Sequence, residues 1–300
     1  MFKKFTVNKD YHNSRFDRWF KQNIYQVPQS FIEKLIRKKK VKVNKKRIKT
    51  SHRVQLNDVV EVYGIENLKP ITQSKTNKYK PSKKEKNEYD KFIVENNDNF
   101  IVINKPSGIP VQGGTKSFKN IIDILRNTKY FEHTKPFVVH RLDKETSGVM
   151  IVAKNREFAQ LFTSLFRIRK IHKTYLAITH GEVKKSINLL QDNLTTYENN
   201  KKVIQKAISH LKILKSNNQY SFLELKPITG RKHQLRKQLY NIGNSIVGDD
   251  KYSAFEVRGK FKIKNLMLHA YKIKFMINDV KYNFEARYGE EFEQFLKRKF

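Results

Sequence analysis

Residues 137–154 read FVVHRLDKETSGVMIVAK and place a polar loop between two apolar runs rich in valine and isoleucine. Such runs predict strands, so the polar residues between them are expected at the rim of a sheet. A lone aspartate in a turn usually hydrogen-bonds its own backbone. Here Arg141 precedes Asp143 by two residues, Thr146 follows it, and Gly148 permits a close backbone approach. This concentration of polar groups makes Asp143 a candidate functional residue.

Further apolar runs follow this pattern on both sides of the segment. FIVE, FIVIN, YLAI, FLEL and YKIKFMI all predict strands. Helical periodicity is predicted near residues 117–127, 156–168 and 231–242. Residues 91–300 are therefore expected to form an α+β domain, built on a mixed, mostly antiparallel sheet flanked by helices.

The N-terminal part predicts a separate, smaller domain. Apolar residues recur at helical spacing over residues 15–25 and again after Pro28, with Ser14 and Ser30 in positions typical of N-terminal caps. Valines then alternate with lysines from Val41 onward, which predicts short strands joined by a turn. A small helix-helix-hairpin unit is expected.

This unit resembles the S-four RNA-binding domain over residues 13–63, through RFDRWF, VPQSFIEKLIRKKKVKVNKKRIK and LNDVVEV. In that family the second helix and the loop after it follow an RNA backbone. The resemblance therefore implies phosphate contacts from basic residues at matching positions, namely Arg15, Arg18, Lys34, Arg37, Lys38 and Arg47. Residues 64–90 lose apolar periodicity and collect Lys, Asn, Ser and Pro, which predicts a basic flexible linker.

The composition indicates an acidic partner. The 300 residues include 63 Lys and Arg against 28 Asp and Glu, a net charge of +35. A lysine-rich composition can produce such an excess by itself, but a field of this size also attracts phosphate polyanions. The chain is 38% hydrophobic, has no cysteine and has no apolar run long enough for a membrane helix. We therefore expect a folded cytoplasmic protein without disulfides.

Several common catalytic motifs are missing from the sequence. The segment GIPVQGGTKS (108–117) has Gly114 and Thr115 where a phosphate-binding loop needs Lys and Ser or Thr. A serine-hydrolase elbow, a zinc-protease motif and a dinucleotide fingerprint are all absent. The histidines are scattered, so we expect neither a metal ion nor a cofactor.

Two other segments carry polar clusters. LKPITGRKHQLRKQL (225–239) has several cations after a Pro and a Gly, although a basic amphipathic helix would look the same. KIHKTYLAI (170–178) sets Lys173 and Tyr175 on the same face of a predicted strand.

Together these segments resemble the RluA family of pseudouridine synthases, in the RluC type that modifies large-subunit (23S) ribosomal RNA. The matching segments run from about residue 91 to the C-terminus and are INKPSGIPVQGG, HRLDKETSG, KTYLA, LKPITGRKHQLR, VGDDKY and LHA. The resemblance implies an enzyme that isomerises uridine to pseudouridine without a cofactor.

The resemblance also implies roles for individual residues. Asp143 would act as nucleophile or base at the ribose or the uracil, and Arg236 would keep its carboxylate ionised and aimed. Tyr175 would stack under the extruded uracil and accept the proton from C5, while Arg141 would fill the space that the flipped nucleotide leaves. Further substrate contacts are expected from His140, Leu142, Thr146, Lys173 and Leu235.

Three alternatives remain at this point. One is a transfer-RNA pseudouridine synthase of the same family, and another is a non-catalytic ribosome assembly or RNA-binding factor. A glycosidase or base-excising enzyme would usually pair two carboxylates near the bond, and only Glu145 lies close to Asp143 in the sequence. For the predicted enzyme we expect a monomer that binds ribosomal RNA and no membrane.

Overall fold

The structure is a computed structural model, and it describes residues 2–25, 27–65, 79, 81–82, 85, 89–113, 119–198, 201–253, 263 and 265–300. The chain divides into two compact units, Met1–Asn77 and Lys78–Phe300. Most of the segment expected to be a linker, residues 64–90, lies outside the described residues. The proposed domain limits at 63 and 91 therefore stay predictions.

The described residues of the first unit form two small antiparallel sheets and two α-helices. Its strands are β1 (Phe2–Thr6), β2 (Ser14–Arg15), β3 (Val41–Val43), β4 (Lys46–Arg47), β5 (Arg53–Val54) and β6 (Val59–Tyr63), and its helices are α1 (Phe16–Asn23) and α2 (Gln29–Arg37). Four strands pair in the order β1-β6-β3-β4, and β2 pairs separately with β5. The sequence predicted the two helices and the β3–β4 hairpin, but not β1.

Both helices of this unit bury one apolar stripe. Helix α1 contributes Phe16, Trp19 and Phe20 to the core, and α2 contributes Ile32, Leu35 and Ile36. The expected capping residues are wrong for both helices. Ser14 lies in β2 and the N-cap of α1 is Arg15, while Ser30 lies inside α2, whose N-cap is Pro28. Neither N-cap side chain accepts a hydrogen bond from a backbone amide of its helix, so helix stability here depends on packing.

The second unit is built on one large mixed sheet. Its strands are β7 (Ile93–Asn96), β8 (Phe100–Lys105), β9 (Phe137–Val138), β10 (Ser147–Ala153), β11 (His172–His180), β12 (Leu189–Glu198), β13 (Lys201–Ser216), β14 (Tyr220–Pro227), β15 (Leu268–Ile277) and β16 (Val280–Glu285). Its helices are α3 (Ile121–Arg126), α4 (Arg156–Arg167), α5 (Gln234–Asn241) and α6 (Glu290–Lys299). The strand order is β12-β13-β14-β11-β15-β10-β8-β7, with β16 beside β15 and β9 beside β10.

All strand pairs in this sheet are antiparallel except β10 with β15. The α+β class and the mostly antiparallel sheet are thus confirmed. Helices α3 and α4 begin at Asn120 and Asn155, whose side chains accept hydrogen bonds from backbone amides one turn later. The expected helix over 117–127 is shorter than predicted, and residues 114–118 lie outside the described residues.

The parallel pair β10–β15 lies inside the sheet, next to the predicted functional loop. Residues 139–146, between β9 and β10, form that loop at the edge from which β10 starts. In the described part of the chain, no helix is long and apolar enough to cross a membrane. The same residues contain no cluster of three or more side chains suited to a metal ion.

Candidate active site

A cavity of about 490 Å³ opens where three segments of the second unit meet. They are the loop after β9, the chain from the end of α4 into β11, and the turn from β14 into α5. All nine catalytic and substrate-contact residues expected from the sequence lie in its lining, namely His140, Arg141, Leu142, Asp143, Thr146, Lys173, Tyr175, Leu235 and Arg236. Three segments distant in sequence therefore converge on one site.

The cavity has one acidic group among many cations. Asp143 is the only acidic side chain among the described residues that line it, and this side chain is 28% exposed. The cations in the lining are Arg141, Arg167, Arg169, Lys173, Arg231 and Arg236. A concave surface with this excess of positive charge attracts polyanions and concentrates them near the carboxylate.

A buried lysine supports the loop that carries Asp143. Lys105, at the end of β8, is fully buried, and its ammonium donates to the carbonyls of Pro106, Ile109 and Lys144 at 2.8, 2.9 and 3.0 Å. The Gly108 amide donates to the same Lys144 carbonyl. Burial lowers the pKa of Lys105 to about 7, although the negative charges of Glu145 and Asp143 act in the opposite direction and raise it. Three carbonyl acceptors replace the lost hydration of the ammonium and join the two loops.

His140 also anchors this loop. Its Nε2 accepts a 2.9 Å hydrogen bond from the backbone amide of Ile151 in β10, and its ring lies 4.6 Å from that of Phe166. Burial, together with the charge of Lys173, lowers the pKa of His140 to about 3. The imidazole is therefore neutral near pH 7, and its hydrogen bond holds the loop against the sheet.

Arg236 lies behind Asp143 and is paired with a different carboxylate. Its Nε and Nη2 donate to Asp249 at 2.7 Å each, and both side chains are almost fully buried. A weaker contact of 3.6 Å reaches the exposed Asp250, and the guanidinium lies 5.1 Å above the ring of Tyr252. The charge of Arg236 still interacts with that of Asp143 through space.

His233 is the side chain that directly contacts Asp143. The His233 Nε2 and Asp143 Oδ1 are 3.6 Å apart, and His233 Nδ1 forms a 2.9 Å hydrogen bond with the hydroxyl of Tyr252. Burial lowers the pKa of His233, although Asp143 raises it. His233 has a left-handed backbone (φ 53°) directly before α5, so it turns the chain into this helix.

Lys173 and Tyr175 lie on β11 and face the same cavity, as the sequence predicts. Burial lowers the pKa of Lys173. Burial, with the nearby charge of Asp143, raises the pKa of Tyr175. The phenol therefore stays protonated at neutral pH and presents an aromatic face and a hydroxyl to the cavity.

The six cations expected to bind RNA all lie in the first unit and are all exposed. Arg15 is not free, because its guanidinium contacts Asp17 at 3.1 Å. The other five occupy α1, α2, the residue after α2, and β4.

Four residues of the site were not singled out by the sequence. Lys105, His233, Asp249 and Tyr252 lie inside the quoted segments INKPSGIPVQGG, LKPITGRKHQLR and VGDDKY. Their chemistry follows from contacts between distant segments, so spacing alone could not assign it.

The fold and the cavity define an enzyme site for a polyanionic substrate, with one carboxylate set among cations. Residues 99–241 match the RNA pseudouridylate synthase family, and residues 25–60 match the S4 domain family. A ribosomal large subunit pseudouridine synthase C of Buchnera aphidicola subsp. Baizongia pistaciae is 32% identical over 286 residues, covering 90% of this chain and 88% of the relative. The protein of that name in Vibrio parahaemolyticus is 31% identical over 284 residues, covering 90% and 87%.

A solved structure supports the same relationship. Human RNA pseudouridylate synthase domain containing 4 superposes with a TM-score of 0.62 and 28% identity, covering 71% of this chain and 94% of that one. The chain belongs to the RNA pseudouridylate synthase family, and it is an isomerase that acts on RNA. The predicted family and the S-four domain are confirmed, and the non-catalytic alternative is not favoured.

Proposed function

We propose that this enzyme converts uridines of large-subunit ribosomal RNA to pseudouridine, with Asp143 as the catalytic carboxylate. The observation that carries the assignment is the position of Asp143, the one acid among the described residues that line a cavity rich in cations. A glycosidase or base-excising enzyme would usually need a second carboxylate there. Glu145, the nearest candidate in sequence, is absent from the lining and contacts Lys144 at 3.4 Å.

The reaction balances without any added group. The N1–C1′ bond of uridine breaks, the uracil turns, and a C5–C1′ bond forms, while C5 loses a proton and N1 gains one. The carboxylate of Asp143 serves as nucleophile or base at the ribose or the uracil. The partly buried site strengthens its interactions with the reacting atoms. His233 would orient the carboxylate, and the charge of Arg236 acts on it through space.

A uridine inside folded RNA must leave its stack to reach Asp143, at a cost of about a few kcal/mol. The cavity volume is in the range of small-ligand sites, which suits one extruded nucleotide. Arg141 is exposed at the cavity, and it would fill the vacated space in the RNA. Tyr175 would stack on the uracil, worth about 1–3 kcal/mol.

The proton from C5 needs an acceptor in the same cavity. The raised pKa of Tyr175 disfavours the phenolate, which makes this tyrosine a better stacking partner than a base. We assign the proton to the carboxylate of Asp143, the one carboxylate among the described residues that line the cavity. His140, Leu142, Thr146 and Leu235 hold the walls of the cavity, and Lys173 faces the substrate phosphate or ribose.

The choice of large-subunit ribosomal RNA rests on the names of the relatives and on the basic first unit. In that unit Arg15, Arg18, Lys34, Arg37, Lys38 and Arg47 would contact phosphates and position the enzyme. We further propose that the enzyme works as a monomer in the cytoplasm, since a chain without cysteine suits a reducing compartment.

Substitution of Asp143 tests this function. Asp143→Asn is expected to abolish pseudouridine formation in large-subunit RNA while RNA binding persists, and Glu145→Gln is the matched control two residues away. Pseudouridines are mapped in ribosomal and transfer RNA from cells that carry the wild type, either variant or no enzyme. Full modification by Asp143→Asn would overturn the catalytic assignment, and sites lost only in transfer RNA would overturn the substrate.

A further inference from the structure

A second cavity, of about 430 Å³, adjoins the active-site cavity in the same unit. The two cavities share five lining residues, which are Arg169, Ile171, Lys173, Pro227 and Ile228. The two cavities therefore meet at these residues. The second cavity lies on the far side of these residues from Asp143, which lines only the first.

Strand pairing places basic side chains next to one another in this second cavity. In the register of the sheet, His172 of β11 pairs with Lys274 of β15, and His210 of β13 pairs with Lys226 of β14. All four residues line the cavity. Because neighbouring strands lie about 4.8 Å apart, the four adjacent strands β13, β14, β11 and β15 spread these groups over about 14 Å. We call this surface the basic face, comprising Arg169, His172, Lys173, His210, Lys226, Lys272 and Lys274.

The basic face keeps a positive charge after its internal ion pairs are counted. Its lining holds five Lys or Arg and one carboxylate, Glu224, and Glu285 pairs with Lys272 from outside the lining, which leaves a net charge of +3 with neutral histidines. Lys226 contacts Glu224 at 2.7 Å, and Lys272 contacts Glu285 of β16 at 2.5 Å. Within the described residues, Arg169 and Lys274 have no ion pair within 4 Å, and Lys274 interacts with Glu285 only at longer range.

This distribution suits an extended anion better than a small one. A single phosphate site would need its cations to converge on one point, whereas here they follow a surface that continues into the active site. One exposed apolar side chain, Ile228, lies among them and is 39% exposed. Polar backbone and apolar base surfaces alternate in a single RNA strand, and proteins bind such strands through cationic grooves with apolar contacts.

We propose that the basic face binds the phosphates of the RNA strand on one side of the flipped uridine. This inference rests on the proposed function and identifies a subsite for the nucleotides that flank the target. The S-four unit then makes its own phosphate contacts, and the basic face holds the strand next to the reacting base. Contacts to phosphate position the strand and carry little sequence information.

Charge substitutions of opposite sign test the basic face. Lys226→Gln/Lys274→Gln removes two cations that line only the second cavity, and Glu224→Gln removes its carboxylate. Lys184→Gln/Lys185→Gln is the control, because these exposed lysines belong to the same unit but line neither cavity. Binding of a large-subunit ribosomal RNA fragment containing the target is measured for the full chain between 50 and 200 mM salt, with thermal unfolding as a check on folding.

The double variant is expected to bind more weakly, with a slope of log K against log salt that is smaller by about 1.4. The ratio of the wild-type binding constant to that of the double variant should therefore fall about sevenfold between 50 and 200 mM salt. Glu224→Gln should bind more tightly than the wild type, and the control should weaken binding less than the double variant does. Equal slopes for the wild type and the double variant, or equal losses in the double variant and the control, would overturn the proposal.

RNA length separates this site from the S-four unit. Shortening the fragment on one side of the target uridine should remove the difference between the wild type and the double variant, and shortening it on the other side should leave it. A difference that survives both truncations would contradict a flanking-strand site. Pseudouridine formation by the wild type is recorded in parallel. If the wild type forms none, the proposed function fails, while the binding data still decide whether the basic face contacts RNA.

Discussion

Arg236 forms its bidentate ion pair with Asp249, at 2.7 Å for both contacts, and not with the cavity carboxylate Asp143. The pair is buried, so it fixes the guanidinium behind the cavity. Tyr252 lies against this guanidinium and also hydrogen-bonds His233, which in turn contacts Asp143. The turn after α5 thus controls the position of Asp143 through two intermediate side chains.

Removing the charge of Asp249 should destabilise the fold. Asp249→Asn leaves the buried guanidinium of Arg236 without its ion pair, and breaking such a pair costs about 3–5 kcal/mol. Asp250→Asn is the control, because Asp250 is 87% exposed and contacts Arg236 only at 3.6 Å, and its effect should stay within about 0.5 kcal/mol. Urea unfolding measures both variants. Equal stabilities would show that Asp249 does not anchor Arg236.

His233 should act by orienting Asp143. His233→Asn tolerates the left-handed backbone but is too short to span from Tyr252 to Asp143, so we expect the single-turnover rate to fall about 10- to 100-fold. RNA affinity should stay the same. Tyr252→Phe removes only the hydroxyl that holds His233 and should lower the rate less. Wild-type rates in both variants, measured with saturating enzyme, would exclude this role.

Much of the fold is predictable because its apolar patterns are regular. The runs around Ile101, Met150 and Ile273 became central strands, and the stripes of α1 and α2 became the core of the first unit. The long hairpin β12–β13 was not predicted. In β13 (Lys201–Ser216), lysines and polar residues separate the few buried apolar side chains, so no continuous apolar run marks the strand.

The active site likewise has residues that the sequence predicts and contacts that it does not predict. Asp143 and Tyr175 stand in short segments whose polar residues are unusual for their surroundings, and the cavity brings these segments together. The support of Lys105 for the Asp143 loop joins residues 39 positions apart in the chain. Arg236 pairs with Asp249 rather than with Asp143 because the segment after α5 brings Asp249 back to this helix. Contacts of this kind are set by tertiary structure, so the residue pattern does not reveal them.

Substitution of Gly148 should destabilise the protein, because the backbones of β10 and β15 approach each other closely at this residue. Its φ is +113°, and a Cβ there would lie 2.2 Å from the carbonyl oxygen of Ala270, its partner in the parallel pair β10–β15. Gly148→Ala must therefore separate these strands next to the Asp143 loop. We expect a loss of more than about 3 kcal/mol, combining strain with broken pairing. Gly243→Ala shares a positive φ (+83°) but meets no atom within 4 Å, so it should cost about 1 kcal/mol. Similar melting temperatures for the two variants would contradict the close approach.

Stability should fall in mild acid because His269 is buried in its neutral form. Its Nε2 donates to the carbonyl of Ala286 and its Nδ1 accepts from the hydroxyl of Ser147, each at 2.9 Å. Burial lowers the pKa of His269 to about 4, although the Ala286 carbonyl raises it. Between pH 4 and 6.5 the native state therefore binds fewer protons than the unfolded chain, and stability decreases as the pH falls through this range. The loss reaches about 3 kcal/mol and is complete below pH 4. His269→Gln does not titrate, so the difference in unfolding free energy between wild type and variant should shrink by that amount from pH 7 to pH 4. Parallel stability curves over this range would show that His269 is not held neutral.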